Sequence, residues 1–107
     1  MKYKLYSIDN RFIEKTDVPP YNFTGIIEDH NGTKQWWVNG KQHREDGPAW
    51  ENPNGTKYWM NNGLCHRIDG PAIEHNGGLK YWYINGIKVT ELQCKLLYDI
   101  MRLKKLM

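Results

Sequence analysis

The feature that most constrains this chain is a repeat of 23 residues. Tryptophan and glycine recur on that spacing in three copies, at Trp36, Trp59 and Trp82 and at Gly40, Gly63 and Gly86. Charged and small residues recur in the same register: Glu28, Glu51 and Glu74; Lys34, Lys57 and Lys80; His43 and His66; Arg44 and Arg67; Asp46 and Asp69; Ala49 and Ala72. A fixed period of this size is typical of stacked units that cannot bury their apolar faces alone. The sequence therefore predicts three repeats over residues 24–88.

Glycine-containing turns divide each repeat into short strands. Asn-Gly pairs between β-branched and aromatic residues are strong hairpin signals, because a type I′ turn needs positive φ at both central residues. We predict such turns at Asn31-Gly32 and Asn54-Gly55, with Asn76-Gly77-Gly78 at the same place in the third repeat. A second set of turns is predicted at Asn39-Gly40, Asn62-Gly63 and Asn85-Gly86, followed by a segment that runs from His-Arg-x-Asp to Gly-Pro-Ala.

The residues before the repeats predict a terminal hairpin. Apolar and polar residues alternate from Lys2 to Ile13, with a turn at Asp9-Asn10. The segment from Asp17 to Asn22 contains two prolines and is expected to be an extended linker, because proline restricts its neighbours. Residues 1–23 are therefore interpreted as a cap hairpin and a linker.

The residues after the repeats predict an amphipathic helix over 89–107. Thr90 and Gln93 have the spacing of a capping box. Apolar residues then fall on one face of a helix at Leu92, Leu96, Ile100, Leu103 and Met107. The simplest expectation is that this face covers the last hairpin and closes the open end of the sheet.

Length and composition predict a single domain over residues 1–107, since this length is enough for a modest core without disulfides or metal. Cys65 and Cys94 occupy unrelated positions and are expected to be free thiols in a reducing compartment. No apolar run approaches a membrane-spanning length, and no secretory leader is recognisable, so a soluble cytoplasmic protein without membrane contact is expected. The net charge of +3 neither implies nor excludes nucleic acid. The expected fold is mainly β, with stacked antiparallel β-hairpin repeats and one C-terminal amphipathic α-helix.

The aromatic residues of the repeats are the first candidate functional group. Neighbouring residues on a strand point to opposite sides, so an inward row of Trp36, Trp59 and Trp82 would form the core. The residues beside them would then point outward and offer a contact surface: Gln35, Trp37, Tyr58, Met60, Tyr81 and Tyr83. Basic residues of the helix would add electrostatic steering: Lys95, Arg102, Lys104 and Lys105.

The His-Arg-x-Asp segments are the second candidate. Their recurrence at His43, Arg44 and Asp46 and again at His66, Arg67 and Asp69 favours a structural ladder, in which each guanidinium bonds a carboxylate or carbonyl of the next repeat. A metal site made from the histidines and aspartates is the weaker interpretation, because the third repeat has Val89 in place of histidine. We therefore expect no cofactor and no metal. The glutamates and lysines of the hairpin arms are expected to pair across strands.

The repeat Asn-Gly-Thr-Lys-x-Trp-x-x-Asn-Gly-x-x-His-Arg-x-Asp-Gly-Pro-Ala-x-Glu resembles the tandem tryptophan-glycine repeats of bacteriophage and large-DNA-virus proteins, and it is similar to the MORN repeat family. The resemblance covers residues 24–88. It departs from the usual MORN pattern at Arg44 and Arg67, where that family has glycine. It implies an elongated, MORN-like twisted sheet that serves as a scaffold or binding surface. For the viral type it implies a small accessory protein of the host cytoplasm.

Taken together, these patterns favour a non-enzymatic protein-binding module of phage type that occludes a host enzyme or a defence complex. The alternative is nucleic-acid binding through the same aromatic residues with lysine and arginine. A small hydrolase using His43 or His66 is the weakest hypothesis. Self-association is a further expectation, because open sheets and amphipathic helices both leave apolar surface to cover.

Overall fold

The structure is a computed structural model that describes residues 2–105. The strands are β1 (Tyr3–Tyr6), β2 (Phe12–Thr16), β3 (Gly25–Asp29), β4 (Lys34–Val38), β5 (Lys41–Gln42), β6 (Trp50–Glu51), β7 (Lys57–Tyr58), β8 (Met60–Asn61), β9 (Leu64–Cys65), β10 (Ile73–Glu74), β11 (Lys80–Ile84) and β12 (Ile87–Val89). One helix, α1 (Glu91–Lys105), follows them. Met107 of the predicted helix face lies outside the described residues. The expectation of a mainly β fold of antiparallel hairpins with a C-terminal helix is confirmed.

The hairpins are joined edge to edge in one long antiparallel sheet. The strand order is β12-β11-β10-β7-β6-β4-β3-β1-β2, with β5 paired to β4, while β8 and β9 form a separate hairpin. The principal dimensions are 48 × 34 × 20 Å, and the radius of gyration is 15.5 Å. A compact domain of this length would have a radius of gyration of about 13 Å. The molecule is therefore elongated, as expected for repeats that each touch only their neighbours.

Two kinds of turn alternate along the repeats. Both central residues of Asn39-Gly40, Asn62-Gly63 and Asn85-Gly86 have positive φ, which makes these the type I′ turns. At Asn31-Gly32 and Asn54-Gly55 only the glycine has positive φ, so the type I′ prediction at these two sites is wrong. There the Gly32 amide donates to the Asp29 carbonyl (3.1 Å), as in a three-residue loop with a glycine bulge.

The side chain that precedes the first turn explains this difference. The Asp29 carboxylate accepts hydrogen bonds from the backbone amides of Asn31 (2.9 Å) and Thr33 (3.1 Å). In the second repeat the Asn52 side-chain oxygen accepts a hydrogen bond from the backbone amide of Asn54 (2.9 Å). Such Asx contacts hold the first central residues in an ordinary turn conformation, and they leave the left-handed position to glycine.

The sheet has two faces with different side chains. Strand alternation and register place Trp36, Trp59 and Trp82 on one side, the tryptophan face, and Gln35, Tyr58 and Tyr81 on the other, the tyrosine face. The buried apolar side chains are small or lie near the N-terminal end: Leu5, Ile26, Ile27, Ala49, Ala72 and Cys94. The three repeat tryptophans are only half-buried. They line one side of a single sheet instead of filling an enclosed core.

The orientation of α1 differs from the expectation. The capping box is present, since the Thr90 amide donates to the Gln93 side chain (2.9 Å) and the Gln93 amide to the Thr90 hydroxyl (3.1 Å). The helix, however, packs through Cys94, whose thiol donates to the carbonyls of Arg67 and Ile68 (3.5 Å each). The face predicted to cover the last hairpin is exposed, at Leu92, Leu96, Ile100 and Leu103. Thr90 alone separates β12 from α1, and this short connection fixes the rotation of the helix.

Candidate protein-binding face

The tyrosine face carries a continuous row of side chains across six neighbouring strands. The register places Ile27 opposite Gln35, Gln35 opposite Trp50, and Trp50 opposite Tyr58. The row continues from Tyr58 to Ile73 and from Ile73 to Tyr81. Cross-strand neighbours on one face lie close enough for large side chains to touch. One residue from each strand thus contributes to a single continuous surface across the repeats.

Aromatic rings contact each other along this row. Trp50 and Tyr58 have centroids 4.9 Å apart, and His75 bridges the tyrosines edge-on, 6.2 Å from Tyr58 and 5.8 Å from Tyr81. The Lys88 ammonium lies 4.6 Å from the centre of the Tyr81 ring. All four rings are half-buried, so each presents an edge or part of a face to solvent. The surface is amphipathic, because tyrosine, tryptophan and histidine each combine an apolar ring with a polar atom.

Two of the other expected contact residues, Trp37 and Tyr83, extend the same face. Trp37 and Tyr83 lie two residues beyond Gln35 and Tyr81 on β4 and β11, and Met60 lies two residues beyond Tyr58. The Trp37 indole N–H donates to the Gln35 side chain at 3.1 Å. The structure therefore brings Gln35, Trp37, Tyr58, Tyr81 and Tyr83 to one side of the molecule, whereas Met60 lies in the separate β8–β9 hairpin and lines a cleft with Trp59 and Arg67. Trp50 and His75 belong to the same row, but the sequence did not reveal them, because tryptophan and histidine do not recur at those repeat positions.

The linker covers the N-terminal end of the tyrosine face. Pro19, Pro20 and Tyr21 line a cleft of about 330 Å³ together with Trp37 and other residues of this face. The linker is not fully extended, since the Phe23 amide donates to the Pro20 carbonyl (3.2 Å) in a turn. Beyond this cleft the aromatic side chains of the row, Trp50, Tyr58, His75 and Tyr81, are half-exposed.

The opposite, tryptophan face is organised by arginine. The Arg44 guanidinium lies 4.0 Å from the centre of the Trp36 ring, and the Arg67 guanidinium lies 3.9 Å from that of Trp59. Each arginine also donates to the aspartate two residues later and to the carbonyl of the following proline: Asp46 (3.1 Å) and Pro48 (3.1 Å), Asp69 (3.0 Å) and Pro71 (3.1 Å). A weaker ion pair reaches a glutamate of the next strand, Glu51 at 3.7 Å and Glu74 at 3.8 Å. The His-Arg-x-Asp segments thereby hold a planar cation over each of these two indoles.

The histidines of these segments connect consecutive repeats. His43 Nδ1 accepts a hydrogen bond from the Asn62 amide (3.0 Å), and His66 Nδ1 accepts one from the Asn85 amide (2.9 Å). Because Nδ1 is an acceptor, the proton of neutral His43 lies on Nε2, which donates to Glu45 (2.6 Å). Both histidines therefore have structural partners at the turn of the following repeat.

A second set of contacts joins the repeats at the other end of each hairpin. The buried Thr33 hydroxyl accepts a hydrogen bond from the Asn52 side chain (2.9 Å). The buried Thr56 hydroxyl accepts one from the backbone amide of Asn76 (3.3 Å). From the sequence, no role was expected for these threonines, although they recur at the same position of consecutive repeats.

The lysine and glutamate residues form one ladder along the tryptophan face. Register pairs Glu28 with Lys34, Glu51 with Lys57, and Glu74 with Lys80 within the hairpins, as the sequence predicted. It also pairs Lys34 with Glu51 and Lys57 with Glu74 between hairpins. Alternating charges of this kind largely neutralise each other. The repeat lysines are therefore on the side of the sheet opposite the tyrosines.

The helix that carries the basic residues packs on that side too, through Cys94. A cleft of about 750 Å³ separates Pro71 from Cys94 and Tyr98, and Trp82 lines it. The structure therefore does not join Lys95, Arg102, Lys104 and Lys105 to the tyrosine face in one contact surface. At a distance they can still contribute to electrostatic steering, which acts through the field of the whole molecule.

Both cysteines in the described part of the chain are free thiols with raised pKa values. Burial raises the pKa of Cys65 and of Cys94. At Cys94 the nearby Asp69 carboxylate raises the pKa further, while Arg67 opposes it. Within residues 2–105, no three His, Cys, Asp or Glu side chains are grouped to hold a metal ion. In that same range no helix is long and apolar enough to cross a membrane.

Comparison with protein-family models, curated proteins and solved structures gives no match to this chain. The resemblance to phage-type and MORN repeats thus stays an expectation from the sequence.

Proposed function

We propose that this chain is a non-enzymatic protein-binding module whose contact surface is the tyrosine face. The observation that carries the proposal is the row of Trp50, Tyr58, His75 and Tyr81, which lies half-exposed on a single sheet. Binding hot spots are rich in tryptophan and tyrosine held rigidly by their neighbours. Ring-to-ring contacts hold these side chains in place before a partner arrives, which reduces the entropy lost on binding.

The charge distribution favours a protein partner over nucleic acid. Nucleic-acid surfaces combine aromatic stacking platforms with a basic groove that follows the phosphates. Here Lys34, Lys57 and Lys80 lie opposite glutamates on the tryptophan face, and the basic helix is on the same side. One basic side chain, Lys88, contacts the Tyr81 ring of the row. The tyrosine face is therefore close to neutral, as the centre of a protein interface usually is.

The resemblance of the repeats to those of phage and large-DNA-virus proteins supports a biological setting for this binding. On that basis we infer an accessory protein of the host cytoplasm that blocks a host enzyme or defence complex by covering part of its surface. The mechanism is occlusion, which requires a rigid contact face and no catalytic group.

A pull-down with matched variants tests this function. The tagged chain is incubated with host lysate at low and at moderate salt, with and without nuclease, and bound proteins are identified by mass spectrometry. We expect one protein to be enriched under every condition and to be lost from the Tyr58→Ala and Tyr81→Ala variants. Phe12→Ala is the control, because Phe12 is an exposed aromatic residue on edge strand β2 and lies outside the row.

Two results would contradict the proposal. Recovery that disappears with nuclease or with moderate salt indicates nucleic-acid binding, because phosphate contacts are strongly salt-dependent. Equal recovery with the wild type, Tyr58→Ala and Tyr81→Ala excludes the tyrosine face as the contact surface.

A further inference from the structure

A broad apolar stripe on α1 is exposed although the helix is packed against the sheet. The exposed fractions are 67% for Leu92, 53% for Leu96, 50% for Ile100 and 61% for Leu103. Leu97 and Met101 extend the stripe at 38% and 43%. Contiguous apolar surface of this kind usually marks an interaction site.

The rotation of the helix explains this exposure. Successive residues turn by about 100° around a helix axis. Cys94 and Tyr98 point toward the sheet and line the cleft beside Trp82. Leu96 and Ile100 then lie on the opposite side. The side of the helix with Cys94 and Tyr98 packs against the chain's own sheet, and the leucine-rich side is exposed along residues 91–105.

We propose that this stripe is a dimer interface in which α1 of a second copy of this chain packs antiparallel. With a two-fold axis near Leu97, Leu92 of one copy meets Leu103 of the other, and Leu96 meets Ile100. The same axis brings Lys95 of each copy to Asp99 of the other. One alignment therefore satisfies the apolar contacts and the charged contacts together, as an isologous interface requires.

Charge complementarity selects the second copy and the antiparallel orientation. Lys95 and Asp99 border the same side of the stripe, and their side chains are 70% and 64% exposed. In a parallel pair the two-fold axis runs along the helices, so the side of the stripe that carries Lys95 and Asp99 would face the opposite side of the partner's stripe, and these two residues would not meet. A helix that lies on a lipid surface has lysine and arginine on its solvent side. Here that side of α1 is packed on the chain's own sheet around Cys94.

The dimer carries two tyrosine faces, one on each sheet. The interface itself uses neither Tyr58 nor Tyr81, so its test is independent of the function proposed above. Two identical faces in one assembly would bind a repetitive or dimeric partner with avidity.

Sedimentation velocity over a range of concentrations tests the apolar part of the interface. We expect wild-type mass to rise toward twice that of the chain as concentration increases. In the double variant Leu96→Gln/Ile100→Gln the dimer dissociation constant should rise on the order of 100-fold, because four apolar side chains per dimer are lost. Both residues are exposed, so the variant should still fold, which circular dichroism checks. Ile87→Gln is the control, since Ile87 is 69% exposed on β12 and outside the stripe.

A charge exchange tests the orientation. Lys95→Glu and Asp99→Lys should each weaken the dimer about tenfold, and the double variant Lys95→Glu/Asp99→Lys should restore it. The exchange removes the contacts of these residues to Glu91 and Arg102 within the helix, so restored dimer formation cannot come from a more stable helix.

The proposal is overturned by a wild-type chain that stays monomeric up to about millimolar concentration, the range of weak association. It is equally overturned if the monomer instead binds lipid vesicles through Leu96 and Ile100. Failure of the charge exchange to restore the dimer excludes the antiparallel alignment.

Discussion

The arginine of each His-Arg-x-Asp segment shows how one residue organises a repeat. Its guanidinium stacks on an indole, bonds an aspartate and donates to a proline carbonyl, as at Arg67 with Trp59, Asp69 and Pro71. The sequence indicated the charged ladder, because arginine and aspartate recur together. It did not indicate the stacking on tryptophan, since eight residues separate the two and only the sheet register brings them together.

Arg67→Lys should therefore be destabilising although charge is conserved. A lysine ammonium cannot stack flat on Trp59 and at the same time reach Asp69 and the Pro71 carbonyl. We expect the free energy of unfolding to fall by about 1–2 kcal/mol. Urea denaturation measures this loss, with Arg11→Lys as the control, because the Arg11 side chain is 84% exposed. An equal, small effect in both variants would contradict the stacking argument.

Cys94 predicts a pH dependence of stability. Burial and the Asp69 carboxylate raise its pKa above the ordinary thiol value of 9.0. Below that ordinary value the thiol is protonated in both states, and its contribution to stability is fully present. As pH rises further, the unfolded chain loses the proton first, so stability decreases until the folded-state pKa is passed. Urea denaturation at about pH 7.5 and about pH 9.5 should show a smaller decrease for Cys94→Ala than for the wild type. An identical decrease in both proteins would exclude this cause.

At the scale of elements, turns and helix ends were predictable to different extents. The capping box of α1 follows directly from Thr90 and Gln93, because its two hydrogen bonds are local. The turn type at Asn31-Gly32 does not follow from the Asn-Gly pair, because the Asp29 carboxylate competes for the turn amides. The rotation of α1 was not predictable from its apolar stripe. It depends on the one-residue connection to β12 and on the space beside Trp82 that accepts Cys94.

The two kinds of Asn-Gly turn should respond differently to the same substitution. Asn62 has a φ of 50°, whereas Asn31 does not have positive φ. Asn62→Ala should therefore lower the free energy of unfolding by about 1–2 kcal/mol, because alanine is strained in the left-handed region. Asn31→Ala should change it by less than about 0.5 kcal/mol. Thermal and urea denaturation of both variants checks this. Equal losses would mean that the turn assignments are incorrect.

At the scale of the whole molecule, the repeat period predicted the elongated sheet, but the sequence did not show how thin its core would be. Leu5, Ile26 and Ile27 are buried near the N-terminal end, while Ala49 and Ala72 are the fully buried residues between the tryptophans. Small side chains at those positions supply little apolar area of their own. Cohesion between repeats must then depend on specific polar contacts more than in a two-layer domain. Those contacts can be recognised only when the register of the strands is known.

The coupling between the second and third repeats should accordingly be local. His66 Nδ1 accepts a hydrogen bond from the backbone amide of Asn85, and the Thr56 hydroxyl accepts one from the backbone amide of Asn76. In Thr56→Val/His66→Ala both hydrogen bonds are lost, at a cost of about 1–3 kcal/mol. When each repeat contacts only its neighbours, the loss of these hydrogen bonds mainly destabilises the terminal repeat beyond the weakened junction. Hydrogen–deuterium exchange with peptide-level mass spectrometry should show residues 76–89 exchanging about tenfold faster or more, while residues 25–38 keep their wild-type rates.

The control variant His30→Ala removes an exposed histidine in the first turn and should leave exchange unchanged throughout the sheet. A uniform acceleration in Thr56→Val/His66→Ala, from the N-terminal hairpin to the last, would mean that the sheet opens only as one cooperative unit. The alternating rows of tryptophan and alanine would then couple the repeats more strongly than the hydrogen bonds at their edges. Because those rows run unbroken from Trp36 to Trp82, while each edge contact joins only two repeats, the pattern of exchange along the chain distinguishes the two sources of cohesion.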